Sequence, residues 1–417
     1  MSTIPAPIAP AAPPKPGATH PIRVRNFRLL WIGATISMFG DQFYIVALPW
    51  LVLQLTGSGL ALGTVMMAAA IPRAVFMLMG GAITDRFSPR TVLISTASAR
   101  TVLVAAVGGL AWTHIIHLWH LYALAFAFGV ADAFSYPAHS ALIPSVVEPD
   151  QLPAANALMQ GSAQATTIAG PAPAGLVIKR WGIAEAFFVD AVSFLFIIAA
   201  IWRLPGKSPA TPVQAQVAQP MGQAIQEGLR YVWHDPPIRA LMLLSTAINL
   251  GLAGPLSVGI ATLANLRMRS PTALGAMFAA LSAGALIGML LAGSLRRPAR
   301  LGASLLAYTT VLGIAMAALG VIRPFWLTIG VLASMGLGSG FVNVHLTSWF
   351  QARVDRALLG RSVSVLLFAA VGLLPVSFAM AGVLVQVSLP LMFVVSGALV
   401  LTVAMVAGAT SGLKSIE

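Results

Sequence analysis

Between Arg361 and Lys414 the chain runs for 52 residues, 362–413, without one charged side chain. A single bilayer crossing needs about 20 apolar residues, so this run holds two, with a break at Ser388, Leu389 and Pro390. Six more uncharged stretches, 42–72, 101–131, 151–178, 240–266, 271–295 and 324–352, repeat the pattern. Their lengths suit helices and not the roughly 10-residue alternating strands of a membrane barrel. Only 8% of the 417 residues are charged, against about 25% in an ordinary soluble domain. With 58% hydrophobic residues and a mean hydropathy of +0.88, the solvent that tolerates this chain is lipid.

The uncharged runs resolve into twelve expected spans: 27–53, 60–84, 91–113, 119–143, 153–178, 183–203, 238–265, 272–294, 301–321, 325–350, 362–387 and 390–412. The longest interruption follows the sixth span, which predicts two six-helix halves, 23–203 and 238–417. The linker between them, 204–237, begins rich in Pro, Gln and Ala and ends in an amphipathic segment, 221–233, suited to the membrane surface. Residues 1–22, rich in Pro and Ala with no apolar core, read as a disordered cytoplasmic tail and not as a secretory signal.

Orientation follows from the basic residues in the loops. Of the 24 Lys and Arg, Arg73 and Arg100 fall within spans. Lys179, Arg180, Arg267, Arg269 and Arg323 share one side, and the remaining 17 share the other. The richer side is the cytoplasm of an inner membrane, with both termini there. The net charge of +13 sits in these short loops, which argues against a nucleic-acid partner. The chain has no cysteine, which excludes disulfides and thiol chemistry.

Five charges lie inside expected spans: Asp41, Arg73, Arg100, Asp132 and, nearer the outer end, Asp190. Each is expensive there unless paired or hydrated. At 1.5 Å per residue, Arg100 lies about 15 Å from Arg90 and Asp132 about 17 Å from Ile143, so the first four occupy one slab. Burial raises the pKa of a carboxyl group and a neighbouring Arg lowers it, so moving the Arg would couple conformation to proton binding. On this reading Asp41 or Asp132 takes up and releases protons, with Arg73 and Arg100 as partners. The alternative is a static ion-pair cluster that holds helices together. Asp190 fits either a further coupling group or a helix cap near the surface.

The second half has no charge at comparable depth, so it is expected to supply apolar and hydrogen-bonding substrate contacts. Candidate cavity residues are Tyr44, Tyr136, Gln160 and Gln164 in the first half and Asn249, Asn343 and His345 in the second. Interhelical hydrogen bonding is the alternative role for the polar ones.

Between the second and third spans stands Gly81-Ala-Ile-Thr-Asp85-Arg86-Phe-Ser-Pro-Arg90. This resembles the signature loop of the major facilitator superfamily. The resemblance implies a gating role for Gly81, Asp85, Arg86 and Arg90, with Asp85 facing the start of the eleventh span near Ser362. The fifth span carries Gly170-Pro171-Ala-Pro173-Ala-Gly175, similar to the superfamily's glycine-proline antiporter motif. Gly170, Pro171 and Gly175 would soften the helix where rocking requires bending. Three further stretches resemble the exporter branch that includes enterobactin and macrolide efflux proteins. They are Phe27-Arg28-Leu-Leu-Trp31 with Gly40-Asp41-Gln42, Tyr136-Pro137-Ala138 with Ala155-Asn156-Ala157-Leu158, and Glu227-Gly228-Leu229-Arg230-Tyr231-Val232-Trp233. Arg73 departs from that pattern, which usually has an apolar or aromatic residue after the proline.

His114, His117 and His120 are spaced like metal ligands, but the turn expected there breaks helical continuity, and no metal or other cofactor is expected. Trp31, Trp112, Trp119, Trp181, Trp202 and Trp326 lie near span ends, as interfacial anchors do. The expectation is therefore an all-α polytopic membrane protein of twelve transmembrane helices with the major facilitator fold, acting as a monomer. As the resemblance implies, it would be a proton-coupled antiporter exporting a lipophilic or amphiphilic small molecule, a drug or siderophore. The alternatives are an importer or uniporter of a small nutrient or, from another class, a membrane-embedded enzyme or receptor.

Overall fold

The computed structural model describes residues 20–86, 88–204, 230–295, 300–354 and 371–409. Among these there is no strand. The first-half helices are α1 (Arg25–Thr56), α2 (Gly59–Arg86), α3 (Pro89–Trp112), α4 (Leu118–Leu142), α5 (Leu152–Ala169), α6 (Pro171–Arg180) and α7 (Ile183–Trp202). Then come α8 (Pro236–Gly254), α9 (Ile260–Leu263), α10 (Pro271–Ser294), α11 (Leu301–Val321), α12 (Phe325–Arg353), α13 (Leu374–Val387) and α14 (Leu389–Ala409). Ten segments are long and apolar enough to cross a bilayer. Among the described residues, the α5–α6 pair and α13 occupy the remaining two expected spans, the fifth and the eleventh. Of the eleventh span, 362–370 lies outside the described residues, as does most of the linker.

The local sequence sets the helix ends. Pro89, Pro236 and Pro271 occupy first-turn positions, where a missing N–H costs nothing. Ser88 caps α3 by accepting from the Thr91 N–H at 3.2 Å, and Asp235 caps α8 by accepting from the Ile238 N–H at 3.2 Å. Gly57 ends α1 with a φ of 62°, a left-handed conformation that glycine adopts without a Cβ penalty. Two departures from regular helix were not expected from sequence. Helix α8 reaches α9 through a π-helical stretch, Pro255–Gly259, and leaves it through another, Ala264–Met268. Pro21–Arg23 form a single 3-10 turn, with Pro21 buried; residues 1–19 of the expected tail lie outside the described residues.

Within the first half α1 packs on α7, α2 on α4, and α3 on both α4 and α7; in the second, α10 packs on α12 and α11 on α14. The closest pairing is α10 with α12. A methyl group added at Gly288 would stand 1.9 Å from the Leu337 carbonyl oxygen, and one at Gly340 would stand 1.9 Å from that of Ala285. Lipid gives helices no hydrophobic reason to associate, so small residues that bring backbones together hold such pairs.

Two seams join the halves: α2 against α13, and α5–α6 against α10. Call the face where α1 begins proximal and the opposite face distal. Both seams are tightest toward the distal face, where Gly63 abuts the Phe378 carbonyl and Gly175 abuts the Pro271 carbonyl. Trp112, Trp119, Trp181, Trp202 and Trp326 are 62–78% exposed at helix ends, as interfacial anchors should be. Trp31 differs, because its Nε1–H donates to Ser162 Oγ at 2.8 Å and ties α1 to α5.

Replacing Gly340 by Leu is expected to force α10 and α12 apart and to destabilise the protein by about 1–3 kcal/mol or more, the usual cost of overpacking. Thermal unfolding in detergent should show this loss, while Gly293→Ala, where an added methyl meets nothing within 4 Å, should leave the midpoint unchanged.

Candidate functional site

The four charges assigned to one slab converge. Arg100 on α3 donates through Nη2 to Asp41 Oδ1 on α1 at 2.5 Å, and its Nη1 lies 3.8 Å from Asp132 Oδ1 on α4. Arg73 on α2 reaches the other oxygen of Asp132 through Nε at 3.2 Å. One chain of alternating charge, Asp41–Arg100–Asp132–Arg73, thus links four helices. Its members are unequally hydrated. The Arg100 side chain is 13% exposed and that of Arg73 is 51% exposed. The guanidinium of Arg100 is also held between two aromatic rings, 4.8 Å from the centroid of Phe128 and 4.4 Å from that of Phe194. Cation–π attraction is strongest where, as here, the cation has little water.

The cluster stands at the waist of a two-lobed cavity. A lobe of about 640 Å³ runs toward the proximal face, lined among others by Ser37, Leu93, His139, Asn156 and Gln160. A lobe of about 430 Å³ runs toward the distal side, lined by Tyr44, Met66, Phe128, Thr167 and Phe378. Asp41, Arg73, Arg100 and Asp132 line both lobes. Leu93 and Asn156 belong to the second turns of α3 and α5, so the larger lobe reaches the proximal end of the bundle. The smaller lobe ends under the tight distal seams. Its wall is aromatic, with Tyr44 stacked on Phe128 at 4.5 Å between centroids.

The other expected residues separate into groups. Gln160 and Tyr44 line the cavity. Gln164 instead reaches across the α5–α10 seam, donating to the Ser282 carbonyl at 3.5 Å. Asn249 donates to the Ser245 carbonyl one turn back, at 2.9 Å. His345 is buried edge-on to Phe341, and Asn343 is exposed on α12; neither lines either lobe. The second half reaches the cavity through Val371, Leu374 and Phe378, all apolar. The side chains of Gly81, Asp85, Arg86 and Tyr136, and the segment around Ser362, lie outside the described residues. Arg90 donates through Nη2 to the Trp202 carbonyl at 3.0 Å, joining the proximal ends of α3 and α7. Gly170 and Pro171 separate α5 from α6, and Gly175 is pressed against α10.

Sequence reading passed over Ser37 and His139 as lining residues, and Phe128 and Phe194 as the rings around Arg100. Their signal was weak, since Phe and Ser are common in membrane helices. Asp190, which fits either a further coupling group or a helix cap near the surface by sequence, is wholly enclosed, at 0% exposure.

The family model for transmembrane secretion effectors matches residues 16–417. The chain belongs to this family of the major facilitator superfamily. It is 28% identical over 359 residues to the multidrug efflux pump Tap of Mycolicibacterium fortuitum, covering 85% of this chain and 88% of that protein. It is 22% identical over 401 residues to macrolide efflux protein A of Streptococcus pyogenes, covering 94% and 97%. The nucleoside transporter NupG superimposes with a TM-score of 0.72 at 10% identity, covering 92% of this chain and 98% of NupG. A bacterial homologue of the iron transporter ferroportin, in an inward-facing state, superimposes with a TM-score of 0.68 at 17% identity, covering 93% and 99%. At these identities the two structures establish the shared fold alone. The protein is a multi-pass membrane transporter of small molecules and not an enzyme.

Removing the shared guanidinium tests the electrostatic reading. Arg100→Gln strips Asp41 of its partner, and breaking such a buried pair costs about 3–5 kcal/mol. The expected outcome is a large drop in unfolding midpoint in detergent, partly restored by adding Asp41→Asn. A single variant as stable as the parent would contradict the pairing.

Proposed function

We propose that this transporter is a proton-coupled antiporter that exports lipophilic or amphiphilic small molecules across the inner membrane by alternating access. The observation that carries this reading is the charge cluster at the waist of the cavity, where two water-reachable carboxylates share one nearly dry guanidinium. A carboxylate paired with Arg is held ionised, and one that loses its Arg in a low-dielectric site favours the proton. A rearrangement of Arg100 therefore exchanges protons at Asp41 or Asp132. Efflux is the activity in the names of the Tap and macrolide relatives, which together span most of this chain.

The excess of Lys and Arg in the loops on the proximal face makes that face cytoplasmic, with both termini there. The cavity then opens inward while the distal seams are closed. The halves 23–203 and 238–417 act as rocking bodies within one monomer, and α6 with α10 and α2 with α13 part when the outside opens. The mixed lining suits an amphiphile, which would place its apolar body against Tyr44, Phe128, Met66 and Phe378 and its polar part near the waist. Asp235, which accepts from Arg353 Nε at 2.9 Å, fastens the end of the linker to α12 so that it moves with the second half.

Two measurements in proteoliposomes test the reading, with ethidium as the transported probe. Asp41→Asn and Asp132→Asn are each expected to cut pH-gradient-driven ethidium transport by about tenfold or more, equivalent to about 1.4 kcal/mol. Full activity in both variants would remove them from the coupling path. A methyl built at Gly59 lies 3.2 Å from Val385 Cβ, near the separation of about 3.8 Å found in disulfides. In this cysteine-free chain, Gly59→Cys with Val385→Cys should therefore cross-link on oxidation, stop transport and recover on reduction. Undiminished transport in the cross-linked protein would contradict alternating access at this seam.

A further inference from the structure

Among the described Asp, Glu, Lys and Arg residues, Asp190 alone falls in the fully buried core. Its carboxyl group has little to satisfy it. The nearest donor, the Ser193 hydroxyl, is 3.4 Å from Oδ1 and donates at 2.7 Å to the backbone carbonyl of Asp190. Oδ2 has no hydrogen-bond partner. Helix α1 covers the site closely: a methyl built at Gly40 would stand 2.0 Å from Ser193 Oγ and 3.1 Å from Asp190 Oδ1. The ring one turn further along α7, Phe194, is the one that carries the Arg100 guanidinium. Arg100 Nε is itself buried without a partner. A partnerless carboxyl oxygen on α7 and a partnerless guanidinium N–H on α3 thus lie near enough for their charges to act on one another. The charged and titratable groups acting on Asp190 are Asp41 and Tyr44 from α1 and Arg100 from α3.

An ionised carboxylate enclosed without a partner is far costlier than the neutral acid. Two unsatisfied groups of opposite character that act on one another would both be satisfied in a second arrangement, in which they meet. Resting on the antiport reading above, we propose that Asp190 is the carrier of the exchanged proton and the second docking partner of Arg100. With the cavity open, Asp190 is the neutral acid and Arg100 is held by Asp41 and Asp132. When an exported molecule occupies the waist, Arg100 releases Asp41 from its Nη2 and turns its free Nε–H to Asp190. The Asp190 proton passes to Asp41 and on to cavity water, because the Asp41 carboxylate, 29% exposed, is hydrated without the Arg whereas that of Asp190 is not. One proton leaves the protein, the guanidinium keeps its charge, and the carboxylate paired with it changes from Asp41 to Asp190. After the molecule departs on the other side, a proton returns to Asp190 and Arg100 swings back. Gly40 and Ser193 make this possible by letting α1 and α7 approach closely enough to keep water from the carboxyl group.

Infrared difference spectroscopy of the full chain in lipid nanodiscs tests the placement of the proton without any substrate. A protonated-carboxyl C=O band should be present at neutral pH, vanish in Asp190→Asn, persist in Asp132→Asn, and shift in Ser193→Ala. A band that survives in Asp190→Asn, or that Ser193→Ala leaves unmoved, overturns the proposal. In proteoliposomes, Asp190→Asn should still exchange ethidium down an ethidium gradient but lose stimulation by a pH gradient, a split that general misfolding would not produce. Retained stimulation in that variant overturns Asp190 as carrier while leaving the antiport reading intact. Wild-type transport indifferent to the pH gradient overturns the antiport reading itself and the relay with it.

Discussion

A guanidinium held in a low-dielectric waist between two carboxylates and two aromatic rings is the interaction on which the rest of this structure depends. Arg100 is almost without water, so its charge has to be met by protein, and Asp41, Asp132, Phe128 and Phe194 meet it from four directions. The arrangement fixes the relative positions of α1, α3, α4 and α7. It also fixes the height of the cavity floor, because the two lobes join where these side chains stand. Arg73 completes the chain of charge from the wet side, and its high exposure marks the path by which water reaches the cluster. A buried ion pair is weak support for stability in general. On the antiport reading proposed above, its value lies in the second arrangement that Asp190 would offer Arg100.

The seams between the halves follow a different logic. Where helices meet across the distal seams, glycine faces a backbone carbonyl: Gly63 against Phe378, Gly175 against Pro271, and Gly275 against Pro171. Contacts of this kind are close but carry no side-chain interlock. They are well suited to parting and re-forming in the rocking motion proposed above. The α10–α12 pair uses the same device within one half, where close approach builds a rigid unit. Irregular helix is concentrated between α8 and α10, with the π-helical stretches on either side of α9. Ser377 supports this region by accepting from the Gly254 N–H and donating to the Leu250 carbonyl, both at 2.7 Å.

Much of this was legible in the sequence, for a physical reason. Lipid excludes charge so strongly that spans, boundaries and the five intramembrane charges all stand out as exceptions in a uniform apolar text. Ten of the expected spans correspond to single long apolar segments, and the convergence of Asp41, Arg73, Arg100 and Asp132 follows from their common depth. What was hidden depends on the direction in which a side chain points. Asp190 lies nearer the outer boundary by residue count, yet it is sealed because Gly40 lets α1 close over it. Asn249 and Gln164 carry groups suited to a pocket but spend them on backbone carbonyls. Such outcomes depend on rotation about helix axes, which neither hydropathy nor spacing specifies when a helix is apolar on every side.

In the proposed cycle an occupied cavity goes with the loss of a proton, and that exchange is directly measurable. Purified protein in weakly buffered detergent solution, mixed with ethidium, should acidify the medium in proportion to the dye bound, with one proton released per site near neutral pH. Saturable ethidium binding with no proton release at any pH would contradict the claim that the charge cluster exchanges its proton for the transported molecule.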